Sequence, residues 1–134
     1  MTSPITSASA STSRNNNDQD LYAQTPTVKR ASPREATAIT RLSEQHHLVE
    51  TNWMFWKEPI LRILRLCEVE DFVTGTVNRP DDKNSEDGKN WSFNDNYAQV
   101  VIVNNITASE MVHVGQCKTA KNIWNNLEAV HESK

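Results

Sequence analysis

The sequence predicts an all-α fold, a small bundle of about five helices that follows a disordered N-terminal tail. Three observations lead to this prediction. Apolar residues beyond residue 50 recur at spacings of three and four, as one face of an α-helix requires. Residues that cap helices stand before several of these stretches. The first forty residues, in contrast, contain 13 Ser or Thr and only one aromatic residue, Tyr22.

The N-terminal segment is too polar to form a core of its own. It contains the run Asn15–Asn17, and it has too little apolar surface to offset the entropy lost on ordering. We therefore predict a disordered Ser/Thr/Asn-rich tail over residues 1–31 and one helical domain over residues 32–134. A chain of 134 residues has room for one modest domain.

The charge of the chain disfavours a nucleic-acid partner. Net charge is −3 at pH 7, and from Thr51 onward nine Lys or Arg face twelve Asp or Glu. Nucleic-acid binders usually carry a basic face because phosphate contacts dominate their affinity. The two cysteines, Cys67 and Cys117, follow no apolar leader segment, which favours reduced thiols in a cytoplasmic protein. No stretch is long and apolar enough to predict a membrane partner.

The first predicted helix covers residues 33–48. Ser32 is placed to cap it, Pro33 suits the first helical position, and Glu35 occupies the capping-box position. The second helix follows from a stripe at helical spacing, formed by Trp53, Trp56, Ile60, Ile63 and Cys67.

Proline 59 leaves two alternatives for this second helix. Within a helix, proline removes a hydrogen bond and costs about 3 kcal/mol. Either the helix kinks at Pro59, or Pro59 begins a new helix after a short turn. Residues 68–75 then predict a short helical turn ended by Gly75, and residues 76–90 predict an exposed polar loop.

The stretch "WSFNDNYAQVVIVNNI" predicts the central, most buried helix. Its Val100–Val103 run alone would indicate a strand. Ser92 and Asp95 resemble a capping box, however, and apolar residues keep four-residue spacing before the run. Thr107 and Glu110 predict a further short helix. Thr119 predicts the cap of a last helix with the buried stripe Ala120, Ile123, Trp124, Leu127 and Val130.

The tryptophans have two interpretations: a cage for a ligand or partner, or a packed core. Aromatic residues at helical spacing are more often core. The predicted structural core comprises Trp53, Trp56, Ile60, Ile63, Trp91, Tyr97, Val101, Ile123, Trp124 and Leu127.

Metal and catalytic sites find little support. Cys67, Cys117, His113 and His131 lack the paired short spacing of structural zinc ligands. His46–His47 lacks the order of a metalloprotease helix, and no nucleophile elbow or phosphate loop is present. We therefore expect no catalytic residue, no metal, no cofactor and no small-molecule substrate.

Five stretches in fixed order resemble the Gag polyprotein of copia-type LTR retrotransposons. They are "NWMFWK", "LCEVEDFVTG", "NWSFNDNYAQVVIVNNI", "SEMVHV" and "CKTAKNIWNNLEAVHE". The resemblance covers about residues 48–131, the N-terminal part of the capsid region. It implies an orthogonal bundle like a capsid N-terminal domain, whose work is assembly. Family members usually continue into a second helical half and an RNA-holding tail, so the resemblance implies truncation at the C-terminus and at most weak RNA binding.

The functional hypothesis is therefore a structural assembly protein, a Gag capsid-like fragment that self-associates or co-assembles into a particle shell. The alternative is a domesticated or truncated Gag that binds and modulates full-length Gag. An RNA-binding protein is a weaker alternative, and an enzyme is the weakest.

The predicted partner is this chain itself or full-length Gag. Leucines flank the tryptophan stripe of the second helix, which makes this helix apolar on more than one side and calls for a second packing partner. Leu61, Leu64 and Arg65 are the candidates for self-association.

Overall fold

The computed structural model describes residues 27–32 and 40–133. Their α-helices are α1 (Trp53–Leu66), α2 (Glu86–Val103) and α3 (Ala120–Glu132), and three short 3-10 segments lie at Glu44–His46, Glu70–Phe72 and Ala108–His113. These residues include no strand, only one isolated parallel bridge between Leu48 and Ile106. The all-α prediction is therefore confirmed, although the described part has three α-helices and three 3-10 segments rather than about five helices.

Helix α1 runs without interruption through Pro59. Proline removes the hydrogen bond to the carbonyl four residues earlier, that of Phe55, whose side chain faces solvent. The helix ends where Glu68 takes a left-handed conformation, with φ 66°. Val69 N–H donates to Leu64 O at 2.9 Å and Glu68 N–H donates to Arg65 O at 3.0 Å, the pattern of a Schellman cap.

Helix α2 begins six residues before the predicted capping residue Ser92. Ser85 is the actual cap, because its side-chain oxygen accepts from Gly88 N–H at 3.0 Å. Residues 86–90, predicted as loop, are therefore helical. Gly88 is required here, since a Cβ would meet Asp82 O and lie 2.6 Å from the Cα of Lys83. Helix α2 packs against both α1 and α3, as its predicted central position requires.

Helix α3 begins as predicted, with Thr119 Oγ1 accepting from Asn122 N–H at 3.1 Å. The stripe differs at its last position. Val130 is half-buried, and His131 is buried instead. The buried positions thus continue at a spacing of four from Leu127.

The helix predicted over 33–48 does not extend that far. Residues 33–39, with the Pro33 and Glu35 positions, lie outside the described part of the chain. Thr40 is helical, Arg41–Ser43 are not, and a single 3-10 turn follows. The backbone at Leu48 instead pairs with a distant segment: its N–H donates to Asn105 O at 2.9 Å and its carbonyl accepts from Thr107 N–H at 3.1 Å.

The capping box predicted at Thr107 and Glu110 does not form. Thr107 Oγ1 donates to Leu48 O at 2.8 Å, and the side chain makes no cap bond. Glu110 is buried and contacts His131 instead. The segment Ala108–His113 is accordingly a 3-10 helix held by contacts to other parts of the chain.

The core lies between the three helices. Eight of the ten residues predicted for it are buried, while Ile63 and Tyr97 are half-buried against it. The sequence interpretation missed several further buried residues, among them Leu48, Leu64, Val69, Val73, Ala98 and Ile102.

Residues 27–32 lie along α2. Ala31 is 4% exposed and Val28 packs against the core. The predicted boundary between tail and domain, at residues 31 and 32, thus falls within a segment that contacts the domain, and residues 1–26 lie outside the described part. None of the described helices has both the length and the apolar character needed to cross a membrane.

Candidate assembly surface

Four aromatic rings fix α1 against α3. The ring centroids of Trp53 and Trp56 are 5.6 Å apart, and Trp124 lies 5.3 Å from Trp53 and 5.7 Å from Trp56. His131 stacks on Trp53 at 5.4 Å with an interplanar angle of 5°. Such clusters stabilise through large apolar burial and ring geometry. The tryptophan-bearing side of α1 is therefore part of the core.

Hydrogen bonds join the start of α1 to the end of α3. Trp53 Nε1–H and Lys57 Nζ both donate to Glu132 Oε2, at 2.8 and 2.9 Å. The pKa of Glu132 lies below its ordinary value, first because of the indole donor and then because of the lysine. The pKa of Lys57 is raised by its hydrogen bond to Glu132, against the opposing effect of burial. The start of α1 is thus held in one orientation.

A buried acid–imidazole pair joins the segment Ala108–His113 to α3. Glu110 Oε1 and His131 Nε2 are 2.6 Å apart, and their side chains are 5% and 1% exposed. His113 meets the His131 ring edge-on at 6.4 Å. Leaving one member of such a pair unpartnered in the interior is costly. The pair anchors this segment, which turns Met111 and Val112 outward.

The outer side of α1 carries the largest exposed apolar groups of the described residues. Met54 is 72% exposed and Phe55 is 84% exposed. We name these two residues the α1 apolar patch. On a helix, positions 54 and 55 project away from the stripe formed by Trp53, Trp56 and Ile60. Burial of that stripe therefore forces the patch toward solvent.

Two depressions border the α1 apolar patch. The smaller has a volume of about 260 Å³ and is lined by Leu42, His46, Asn52, Phe55, Trp56 and Pro59. The larger, of about 670 Å³, is lined by Glu50, Thr51, Trp53, Met54, Lys57, His131 and Glu132. Exposed apolar side chains beside concave surface are typical of sites that bind another protein.

The residues predicted for self-association are only partly available. Leu64 has no exposed surface, so its prediction as a contact residue is wrong. The core stripe runs through Trp53, Trp56, Ile60 and Leu64, which places Leu64 inside and moves Ile63 to the edge. Leu61 is half-buried against the core.

Arg65 is exposed but already engaged within its own chain. Its Nε and Nη2 atoms donate to the two oxygens of Glu70 at 3.0 and 2.8 Å. This bidentate pairing lowers the pKa of Glu70. Contact of Arg65 with another chain would have to compete with this pair.

The sequence interpretation did not identify the α1 apolar patch. Met54 and Phe55 lie within "NWMFWK" between two tryptophans, and the sequence interpretation assigned them no role. A helical projection centred on Trp53, Trp56 and Ile60 contains the missing signal, because it separates the two residues from the stripe.

Among the metal-ligand candidates from the sequence, His113 and His131 are in edge-on ring contact. Cys67 is buried, whereas Cys117 is half-buried with Asn126 Nδ2 donating to its sulfur at 3.2 Å. His47 is buried, and its Nε2 lies 3.0 Å from Leu42 O. Among residues 27–32 and 40–133, no three His, Cys, Asp or Glu side chains come together as a metal ion would require.

Comparison with known families identifies residues 62–134 as gag-polypeptide of LTR copia-type. The matched region contains four of the five stretches on which the resemblance rested, all of them complete, whereas "NWMFWK" precedes it. No curated protein and no solved structure matches the chain. Since the family match covers more than half of the chain, the chain belongs to the gag polypeptides of copia-type LTR retrotransposons, a family of structural proteins.

Proposed function

We propose that this chain is an assembly protein, a gag subunit that associates with other gag chains to build a particle shell. The observation that carries the proposal is the α1 apolar patch, where Phe55 is 84% exposed. Family membership supports a structural role for the chain. The partner is a second copy of this chain or a longer gag chain that carries the same helix.

A fixed orientation of the patch favours its contact with another chain. Helix α1 is tied to α3 through Trp53 and Lys57, so the patch keeps a fixed orientation relative to the core. A preorganised surface loses little conformational entropy on binding. Two apolar side chains form a small contact, so the association of one pair of chains is weak. Repetition of weak contacts in a closed array supplies the strength.

Charge opposes this association at low ionic strength. The sequence from residue 51 onward carries nine Lys or Arg and twelve Asp or Glu, so two copies repel each other. Salt screens this repulsion, while burial of Met54 and Phe55 does not depend on it. We therefore expect association to strengthen as salt is raised from low to moderate concentration.

Sedimentation velocity over a wide concentration range tests the proposal. The parent chain should sediment faster as its concentration rises. Phe55→Glu should remain monomeric, because the substitution places a charge at the centre of the contact. Val112→Glu is the matched control, since Val112 is 78% exposed on the separate segment Ala108–His113. A parent chain that stays monomeric at every concentration, or a Phe55→Glu variant that associates like the parent, would overturn the proposal.

A further inference from the structure

Helix α2 presents a row of polar side chains that holds the segment Thr27–Ser32, here named the arm. Asp87, Asn90 and Asn94 lie at spacings of three and four, so they project from one side of the helix. The row spans about 10 Å along the helix axis, the length of about three residues of extended chain. Consecutive arm residues meet consecutive side chains of this row.

Most bonds of the row go to the backbone of the arm. Asp87 Oδ1 accepts from Val28 N–H at 3.0 Å, and Asn90 Nδ2 donates to Val28 O at 2.8 Å. Asn94 binds twice: its Nδ2 donates to Lys29 O and its Oδ1 accepts from the N–H of Ala31, both at 2.8 Å. A side-chain amide that both donates and accepts can pair with extended backbone, as a neighbouring strand does in a sheet.

Side chains of the arm add selectivity. Thr27 Oγ1–H donates to Asp87 Oδ2 at 2.7 Å, and Arg30 Nε–H donates to Asn90 Oδ1 at 3.1 Å. The Arg30 guanidinium also lies 4.7 Å from the ring centre of Phe93. Ala31 is buried, so the site takes a small residue at that position. The chemistry recognised is a short peptide with a hydroxyl, a cation and a small apolar residue in this order.

The arm covers the row. Asn90 and Asn94 are 4% and 2% exposed beneath it, and each amide has bonds to the arm. Without the arm these amides would bond to water instead, and each direct bond to the arm contributes a modest net stabilisation. A row of this kind on an otherwise ordinary helix is therefore a binding site for a peptide backbone.

We propose that the Asp87–Asn90–Asn94 row also accepts the arm of a second copy, so that associating chains exchange arms. The inference deepens the proposed function and rests on it, because an exchanged arm is one of the contacts through which gag chains would associate. Each bond described above is available to the arm of either copy. Ser32 N–H also donates to Glu68 Oε1, at a long distance of 3.4 Å. Exchange of an identical element between copies keeps its contacts and changes only the connection.

Two full-length variants that complement each other test the exchange. Ala31→Asp damages the arm, because it places a charge at a buried position, and leaves the row intact. Asn94→Leu damages the row and leaves the arm intact. Both carry Phe55→Glu, so that the α1 apolar patch makes no contribution. Each variant alone should be monomeric by sedimentation velocity, and an equimolar mixture should form a one-to-one complex in which the intact arm occupies the intact row.

The controls separate this contact from general effects of substitution. Asn96→Leu in place of Asn94→Leu is the matched control, since Asn96 is exposed on the same helix. It keeps an intact row that binds its own arm, so its mixture with the Ala31→Asp variant should form much less complex. A synthetic peptide of residues 25–32 should dissociate the complex by occupying the row.

Asp87→Ala provides a second damaged row at a more accessible position, should Asn94→Leu impair folding. A mixture of folded variants that remains monomeric would overturn the proposal and leave the arm as an intramolecular contact. A complex that forms without an intact row, or that the peptide does not dissociate, would equally overturn the proposal. Failure of the α1 apolar patch in the Phe55→Glu test does not affect this result, so the two proposals fail separately.

Discussion

Replacement of Trp56 by alanine tests the packing that orients the α1 apolar patch. Trp56 is 1% exposed, contacts the rings of Trp53 and Trp124, and donates from Nε1 to Asn105 O at 2.7 Å. The substitution removes the ring from the point where α1 and α3 meet. It also removes one of two donors to the Asn105 carbonyl.

The loss of the ring dominates the expected effect. Truncation of a buried tryptophan to alanine typically costs about 3–5 kcal/mol, from lost transfer free energy and from the cavity that remains. The hydrogen bond adds little, about 0.5–1.5 kcal/mol, because Asn105 O still accepts from Leu48 N–H at 2.9 Å. Total stabilities of about 5–15 kcal/mol are usual, so the variant is expected near the limit of folding.

Urea unfolding followed by far-ultraviolet circular dichroism measures this effect, because tryptophan fluorescence changes with the substitution itself. Phe55→Ala is the matched control, as the neighbouring aromatic is 84% exposed. It should change the free energy of unfolding by no more than about 0.5 kcal/mol. Equal unfolding midpoints for Trp56→Ala and the parent would refute the packing of α1 described above.

Four further predictions concern the core, a close backbone approach, the pH dependence of the arm and the affinity for RNA. Trp124→Ala should destabilise by a similar 3–5 kcal/mol, measured by the same unfolding curves. Gly88→Ala should destabilise by about 1–3 kcal/mol, because its Cβ would meet Asp82 O, whereas a neutral melting temperature would contradict that close approach. The pKa of Asp87 is held below its ordinary value chiefly by the Val28 N–H donor, so attachment of the arm should persist above pH 4 or so and weaken as pH falls through the depressed pKa. Amide exchange at Val28 reports this, and Asp87→Asn should remove the pH dependence. Single-stranded RNA should bind no tighter than about 10⁻⁴–10⁻⁶ M at physiological salt, and submicromolar titration midpoints would contradict this.

Local signals predicted α3 well and α2 only in part. At α3, a capping threonine and an apolar stripe agree, and the structure follows both. At α2, the sequence contains two serines that can cap, Ser85 and Ser92. The earlier serine is the cap because Gly88 lets the first turn pack closely on Asp82, a contact between segments that periodicity does not report.

The end of α1 and the segment after Thr107 depended on tertiary contacts. Glu68 takes the left-handed conformation that usually indicates glycine, so no residue type marks the end of the helix. The carboxylate of Glu110, expected at a helix start, instead pairs with His131, 21 residues later. A side-chain contact between residues that far apart in the sequence cannot be read from spacing.

The candidate surface required the exact rotation of α1. Both Ile63 and Leu64 suit the stripe, and the rotation of α1 decides which of the two is buried. The structure places Leu64 inside, which leaves Met54 and Phe55 as the most exposed apolar residues of α1. The arm site was missed for another reason: asparagines in a helix suggest a solvated face, and only the arm reveals their hydrogen-bonding role.

The most direct test of association through α1 is a series of amide nitrogen–proton NMR spectra of the full chain recorded at increasing concentration. Assembly through the α1 apolar patch predicts that the signals of Met54, Phe55 and the residues bordering the adjacent depressions shift or broaden first, and that Phe55→Glu abolishes these changes. Spectra that do not change with concentration, or changes centred on a surface remote from α1, would contradict it.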